Sequence, residues 1–123
     1  MDTKKVAAAI ILSGETVLLT RRKQGKKLAG YWEFPGGKIE ENETVQECLE
    51  REIHEELNIN IKAGKRIVSN IHIHPHGVIE LIALEAKIVS GITLGKDAQV
   101  RSPASLKDNI KNKISLLSTL YGS

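Results

Sequence analysis

Aromatic residues and cysteine are scarce in this sequence. Aromatic side chains make up 3% of the 123 residues, so valine, isoleucine, leucine and alanine must build the core. The single cysteine, Cys48, excludes a disulfide within the chain and is typical of a reducing compartment. The length suffices for one core. We therefore expect a single domain over residues 1–123.

Long hydrophobic runs are also missing. No apolar stretch approaches the ~20 residues that span a bilayer. The start, MDTKKVAAAIIL, has the basic residues and apolar run of a secretion signal, but the run is short, ends in SGE and resumes as VLL. That pattern indicates a strand, a turn and a strand. We expect a cytoplasmic protein without a membrane partner.

Charge is only slightly unbalanced over the whole chain. The net charge of +3 favours anionic partners without requiring nucleic acid. Basic residues crowd the segment RRKQGKK at 21–27, and acidic residues crowd the segment 40–56. A protein that holds a polyanion through metal and cations would need both segments close together, whereas a solvated basic loop is the alternative. The basic segment lacks the interleaved aromatics of a nucleic-acid-binding protein, so we expect no nucleic-acid partner.

Hydrophobic patterning predicts an α+β domain with several strands and two helices. The predicted strands cover residues 6–12, 16–20, 31–34, 59–73 and 78–89. The first helix runs from Thr44 to about Leu57, begins at Asn42 or at Glu43 and Thr44, and ends at Asn58. A second helix is predicted over 110–121. Residues 21–30 and 95–105 are expected to be irregular, and the Pro-Gly-Gly at 35–37 to end a strand.

The first predicted helix has a buried face and a solvent face. At about 100° per residue, the buried face contains Val45, Leu49 and Ile53, with Cys48 and Leu57 beside it. The residues expected to face water are Glu47, Glu50, His54 and Asn58.

Three other glutamates of this helix need a counter-charge. Glu52 and Glu56 fall within about 20° of Val45, inside the apolar stripe, and Glu55 lies beside them. Like charges that lean inward lose hydration, which is costly without compensation. The single guanidinium of Arg51 cannot neutralise three carboxylates, whereas Mg²⁺ and Mn²⁺ prefer carboxylate oxygens. The spacing therefore favours a metal site over a salt-bridged helix.

The segment GKIEENETVQECLEREIHEELNI resembles the Nudix box, the signature of the Nudix hydrolases. That pattern is Gly, five residues, Glu, seven residues, Arg-Glu, an aliphatic residue, any residue, Glu-Glu, any residue, Gly and an aliphatic residue. Its places are filled here by Gly37, Glu43, Arg51-Glu52, Ile53, Glu55-Glu56, Asn58 and Ile59. Asn58 stands where the family has Gly, and we expect little effect because Asn tolerates the left-handed conformation. The upstream segment LLTRRKQGKKLAGYWEFPGG resembles the MutT branch of the family.

This resemblance implies a fold and a reaction. The Nudix fold is a mixed β-sheet sandwiched between helices. Members of the MutT branch hydrolyse a nucleoside triphosphate to the monophosphate and pyrophosphate, and we expect an oxidised purine such as 8-oxo-dGTP or a cytidine-type nucleotide. The alternatives are a Nudix hydrolase of a dinucleoside polyphosphate, ADP-ribose or a nucleotide sugar, and a binding module without catalysis. Such modules typically lose carboxylates of the box, and this chain keeps them.

The resemblance also implies roles for the residues of the box. Glu52, Glu55, Glu56 and the Gly37 carbonyl would bind Mg²⁺, with Mn²⁺ as a substitute. Arg51 and Glu43 would orient these ligands. Attack of water on phosphorus requires neutralised phosphate charge, a positioned water and a base. Either Glu52 or Glu56 would be that base.

Further candidates for the site lie outside the box. Arg22 and Arg21 would hold phosphate, because Arg suits its geometry better than Lys. Asp97 is either an additional metal-binding or basic carboxylate, or a turn residue beside Lys96. Phe34 either lines the base pocket or belongs to the core.

The C-terminal third departs from the MutT pattern. MutT-like proteins usually carry a Trp on a late strand, and VRSPASL at 100–106 contains no aromatic residue. Asn109 and Asn112 are the candidates for hydrogen bonds to the base. Three histidines at 72, 74 and 76 could bind zinc, but a strand edge running into a turn favours exposed or substrate-contacting side chains. The chain is expected to be a monomer or a homodimer.

Overall fold

The computed structural model describes residues 3–13, 16–21, 30, 32–75, 77–91 and 98–101. Seven strands and one helix are assigned within them, namely β1 (Thr3–Ser13), β2 (Thr16–Arg21), β3 (Trp32–Glu33), β4 (Gly36–Lys38), α1 (Val45–Leu57), β5 (Asn60–His74), β6 (Gly77–Ser90) and β7 (Ala98–Arg101). The elements form the expected α+β arrangement. The predicted helix at 110–121 lies outside the described residues. No helix in the described ranges is both long and apolar enough to cross a membrane.

The strands form a mixed sheet with the order β3-β2-β1-β6-β5. β1 and β6 are parallel, and their register runs from Thr3 opposite Val78 to Ile11 opposite Ala86. The other described pairs are antiparallel, including β5 with β6, β4 with β1 and β7 with β2. β4 joins β1 beside its N-terminal half, and this pairing brings the loop before α1 onto the centre of the sheet.

Two segments that were not expected to be strands are paired in the structure. β4 contains the Gly36 and Gly37 that were expected to end a strand. Glycine is needed at position 36 because a Cβ there would overlap the Ala7 carbonyl of β1, so it permits close pairing. β7, expected to be irregular, pairs with Val17 to Thr20 of β2. A partner so distant in sequence supplies the hydrogen bonds that its local pattern does not predict.

The ends of α1 follow from local sequence. Thr44 is the N-cap, and its hydroxyl accepts from the Glu47 N–H at 3.0 Å while the Glu47 carboxylate accepts from the Thr44 N–H at 2.9 Å. This reciprocal pair satisfies two backbone donors that the helix leaves free. Asn58 ends the helix with φ 55° and ψ 36°, the left-handed conformation, and its N–H donates to His54. Both expected ends are confirmed.

The sheet buries both of its faces. Alternate residues of β1 contribute to two clusters, with Val6, Ala8 and Ile10 on one face and Ala7, Ala9 and Ile11 on the other. α1 covers the second face with the fully buried side chains of Cys48, Leu49 and Ile53. Val45, expected at the centre of the buried face, is only half-buried because it is the first residue of the helix. Cys48, expected at the margin, is fully buried instead.

Candidate active site

A bidentate ion pair joins the loop before α1 to the helix itself. Arg51 Nε donates to Glu43 Oε2 at 2.7 Å, and Arg51 Nη2 donates to Glu43 Oε1 at 3.0 Å. The Glu40 N–H donates to the same carboxylate at 2.9 Å. The hydrogen bonds from Arg51, followed by that from Glu40, lower the pKa of Glu43 from 4.5 to about 2. Glu43 therefore stays ionised and fixes the guanidinium.

The remaining nitrogen of Arg51 faces two glutamates of α1. Nη1 donates to Glu52 Oε1 at 3.0 Å and to Glu55 Oε2 at 3.4 Å. These contacts, and above all those with Glu43, raise the pKa of Arg51. One guanidinium thus holds a loop carboxylate and two helix carboxylates together. Its Nε and Nη2 atoms bind Glu43, and its Nη1 atom binds Glu52 and Glu55.

The carboxylate of Glu52 lies directly against the backbone of Gly37. A Cβ added at Gly37 would stand 2.6 Å from the carboxyl carbon of Glu52 and 2.8 Å from each of its oxygens. Any side chain at position 37 would therefore displace this carboxylate. The Glu52 side chain is 18% exposed, so it is only partly hydrated. Glycine here provides the space that the acidic side chain occupies.

Cys48 lies beneath the same loop. Its Sγ is 3.5 Å from the Lys38 carbonyl oxygen and 3.8 Å from the Gly37 carbonyl oxygen. Burial raises the pKa of this thiol to about 12, so it remains protonated and can donate a hydrogen bond. The sequence indicated only an apolar position at 48. The contact with two carbonyls depends on how β4 packs across α1, which helical spacing does not reveal.

The structure brings together only part of the predicted metal ligands. Glu52 lies beside Gly37 and, like Glu55, contacts Arg51, whereas Glu56 is exposed rather than inside the apolar stripe. The last turn still packs on the sheet, since Leu57 and Ile59 join the buried cluster, so Glu56 lies on the exposed side of that turn. Among the described residues, no three acidic, histidine or cysteine side chains converge on one metal-sized point.

The chemistry of these groups fits a hard divalent cation. Glutamate oxygens and a main-chain carbonyl are ligands that Mg²⁺ and Mn²⁺ accept. The Glu52 carboxylate already rests on the Gly37 backbone, so two of the ligand types are neighbours. Arg51 and Glu43 provide the supporting contacts that orient ligands in metal sites.

Glu50 has a contact that the helical wheel does not predict. It was expected to face water, but its Oε2 accepts from the Ala63 N–H of β5 at 3.1 Å. The register between β5 and β6 shifts just after Ala63. The contact fixes α1 against β5, and only the tertiary packing could have shown it.

Two of the predicted substrate residues, Phe34 and Arg21, lie in the described part of the chain. Phe34 is 1% exposed and belongs to the core on the face of the sheet opposite α1. The Arg21 guanidinium lies 5.6 Å from the centre of the Trp32 ring, within cation–π range. The other predicted positions, Arg22, Asp97, Asn109 and Asn112, lie outside the described residues.

The histidine pattern does not form a metal site in the described part of the chain. His72 and His74 are half-buried on β5, whereas the sequence favoured exposed or substrate-contacting side chains. Among the described residues, the Nε2 atoms of both have no hydrogen-bond partner. His76 lies outside the described residues.

Comparison with known proteins assigns the chain to a family. The profile of the NUDIX domain matches residues 3–90, and the chain therefore belongs to the Nudix family. Proteins of this family generally use a divalent metal ion. The expected family and fold are thus confirmed.

Three curated relatives are similar over part of their length. An 8-oxo-dGTP diphosphatase of Proteus vulgaris is 42% identical over 50% of this chain and 57% of its own. A CTP pyrophosphohydrolase of Escherichia coli is 38% identical over 60% of this chain and 61% of its own. A putative 8-oxo-dGTP diphosphatase 2 of Mycobacterium tuberculosis is 35% identical over 75% and 66%. The chain thus spans less than two thirds of the length of each of these relatives.

Solved structures are similar over almost the whole chain. The E. coli ORF135 protein has a TM-score of 0.72 and 26% identity, covering 98% of this chain and 91% of that one. A MutT protein of methicillin-resistant Staphylococcus aureus has a TM-score of 0.66 and 28% identity, covering 94% and 97%.

Proposed function

We propose that the chain hydrolyses a nucleoside triphosphate to the monophosphate and pyrophosphate. The observation that carries this proposal is the folded state of the box: Arg51 links Glu43 to Glu52 and Glu55, and the Glu52 carboxylate rests on Gly37. The names of the curated relatives support this reaction. They also support two kinds of substrate, an oxidised purine nucleotide such as 8-oxo-dGTP and a cytidine-type nucleotide.

The metal in this proposal is Mg²⁺, with Mn²⁺ as a substitute. Glu52, Glu55, Glu56 and the Gly37 carbonyl would hold it. When bound, the ion supplies neutralisation of phosphate charge and activation of water. Its binding by Glu52 and Glu55 would compete with the contacts of Arg51 Nη1, while the bidentate pair with Glu43 can persist because it uses the other two nitrogens.

The protein's own groups then have distinct tasks. Glu52 or Glu56 accepts the proton of the attacking water, and Glu52 has the more defined surroundings because it is half-buried between Arg51 and Gly37. Arg51 keeps Glu52 in place without contacting substrate. Arg22 and Arg21 bind the phosphates, a role for which guanidinium geometry is suited. The roles of Asp97, Phe34, Asn109 and Asn112 stay predictions.

The proposal also covers the setting in which the protein acts. The single cysteine is buried and forms no disulfide, which supports a reducing, cytoplasmic location. The modest net charge supports a small anionic substrate without a nucleic-acid or membrane partner.

A substrate panel tests the reaction. The protein and Mg²⁺ are incubated with canonical and oxidised nucleoside triphosphates, dinucleoside polyphosphates and ADP-ribose, and the products are identified. Monophosphate and pyrophosphate from one triphosphate would support the proposal and identify the nucleobase of the substrate. Turnover of only the other compounds would retain Nudix chemistry and refute this substrate class. If no compound is hydrolysed, a non-catalytic binding module replaces the proposal.

A further inference from the structure

The last strand in the sheet order has an open edge. β5 lies at the end of the order β3-β2-β1-β6-β5, and no described strand pairs with its outer side. It has 15 residues, whereas strands of about 5–6 residues are typical. Open edges of this length offer a row of backbone hydrogen-bonding groups to another chain.

The first half of β5 is protected against such pairing. Register shifts occur between Asn60 and Ile61, and on either side of Arg66. The same half contains the charged residues Lys62, Lys65 and Arg66. Bulges and lysines are the features by which proteins prevent edge-to-edge association.

The second half of β5 has none of these features. Residues 68–74 pair one by one with residues 77–83 of β6, without a register shift. The stretch reads VSNIHIH and contains no proline and no Lys, Arg, Asp or Glu. Its backbone edge is therefore straight, regular and free of fixed charge.

Two isoleucines of this half are exposed on one face. Ile71 is 66% exposed and Ile73 is 77% exposed. They pair with Glu80 and Val78 of β6, positions that share a face with Ile82 of the cluster beneath α1. The two side chains thus continue the apolar face of the sheet beyond α1 into solvent.

We propose that residues 68–74 pair antiparallel with the same residues of a second copy, giving a two-fold symmetric dimer with one continuous sheet. With the axis at Ile71, the two Ile71 side chains face each other, and each Ile73 lies opposite Ser69 of the partner subunit. All of these side chains fall on one face, because antiparallel neighbours share a face. Contacts that are the same on both subunits are the usual form of a two-fold interface.

Charge favours a second copy over an acidic peptide. Self-pairing over residues 68–74 places no like charges opposite each other, since the stretch has no fixed charge. In this register Lys65 and Arg66 lie beyond the end of the partner's strand. An acidic peptide would instead have to pair with the basic half of β5, where register shifts interrupt the regular edge.

Molar mass in solution tests the proposed dimer. We expect light scattering after size exclusion to show a dimer for the wild type, and Ile71→Lys to weaken it about tenfold or more, since like charges opposite each other repel. Val89→Lys is the matched control, because Val89 is 68% exposed on β6 and lies away from residues 68–74. A wild-type monomer, or a dimer that survives Ile71→Lys, refutes the proposal.

Crosslinking locates the axis independently of mass. In Ile71→Cys the two thiols meet at the axis, so mild oxidation should give a covalent dimer, whereas Val89→Cys should remain monomeric under denaturing conditions. The native Cys48 is fully buried and does not compete. Failure of Ile71→Cys to crosslink, or equal crosslinking of both variants, contradicts this register. An acidic peptide that binds a monomeric wild type would identify the other occupant of the edge.

Discussion

At the scale of single residues, Arg51 organises the acidic cluster through three different carboxylates. Its Nε and Nη2 atoms hold Glu43, and its Nη1 atom contacts Glu52 and Glu55. A lysine could not reproduce this arrangement, because an ammonium group is a point charge without a planar fork. The planar geometry of the guanidinium, and not its positive charge alone, therefore defines this arrangement of carboxylates.

This geometry predicts a kinetic effect of Arg51→Lys. We expect turnover and metal affinity to fall by about 10–100-fold, as is typical when a contact that supports metal ligands is lost. Steady-state kinetics and metal titration check this expectation. Arg66→Lys is the matched control, because Arg66 is exposed on β5 outside the cluster. Wild-type kinetics and metal affinity in Arg51→Lys would show that charge alone suffices.

The lowered pKa of Glu43 predicts a pH dependence of stability. Its folded-state pKa is about 2, against an ordinary value of 4.5, so the unfolded state takes up the proton first as pH falls. The stabilisation is therefore complete above pH 4.5 and is lost as pH falls towards 2. We expect Glu43→Gln to be less stable than the wild type near neutral pH, with the difference shrinking across this window.

Chemical unfolding at a series of pH values measures this difference. Glu41→Gln is the control, because Glu41 is an exposed carboxylate of the same loop, and its stability should follow that of the wild type. A constant difference between Glu43→Gln and the wild type from pH 7 to pH 2 would mean that ionisation of Glu43 does not stabilise the fold.

At the scale of elements, the C-cap of α1 shows how a departure from the family pattern is tolerated. Asn58 occupies the left-handed region with φ 55°, where asparagine and glycine are the usual residues. We expect Asn58→Gly to preserve stability within a few tenths of a kcal/mol, and Asn58→Ala to cost about 1 kcal/mol, since a Cβ without a polar group is strained there. Denaturant unfolding measures both. Equal stability of the Ala variant would argue against this cap conformation.

The same helix shows why some elements could be predicted from sequence. Its ends depend on Thr44, Glu47 and Asn58, which act on neighbouring backbone groups. β4 and β7 could not be predicted in this way, because β1 and β2 supply their partners from distant parts of the chain. Glycine at 36 was interpreted as the end of a strand, whereas it permits close strand pairing. Local rules therefore fail where tertiary contact decides.

In the candidate site, too, the features set by helical spacing could be predicted and those set by tertiary packing could not. Helical spacing placed Glu52 near Glu55, and the structure joins them through Arg51. The spacing could not show how the last turn of α1 packs, with Leu57 and Ile59 against the sheet, so the exposure of Glu56 was missed. It also could not show the thiol of Cys48 under the Gly37 carbonyl, because that contact requires β4 to cross the helix.

At the scale of the whole molecule, the candidate site and the open edge involve different strands of the sheet. The acidic cluster lies where β4, paired with the middle of the sheet, meets α1. The exposed half of β5 lies at the end of the strand order. None of the residues of the acidic cluster belongs to the stretch 68–74 that would pair. Dimerisation and metal binding should therefore be separable by mutation.

Metal binding should stabilise the whole fold, because the carboxylates are brought together only in the folded state. An ion that binds the folded state alone adds about 1.4 kcal/mol at ten times its Kd. We expect Mg²⁺ to raise the Tm of the wild type and of Glu41→Gln equally, and to raise that of Glu52→Gln much less. Thermal unfolding at constant ionic strength, with and without Mg²⁺, measures these shifts and requires no substrate.

The metal-free comparison serves as the control for folding. Glu52→Gln should have a Tm close to that of the wild type without Mg²⁺, since a carboxamide fits the space above Gly37 and can still accept from Arg51. Its turnover of the identified substrate should fall by about 10²–10⁴-fold if this carboxylate acts as the base. If Mg²⁺ raises the Tm of Glu52→Gln normally while turnover is lost, Glu52 is the general base and not a metal ligand. A normal shift with normal turnover would remove Glu52 from the site altogether.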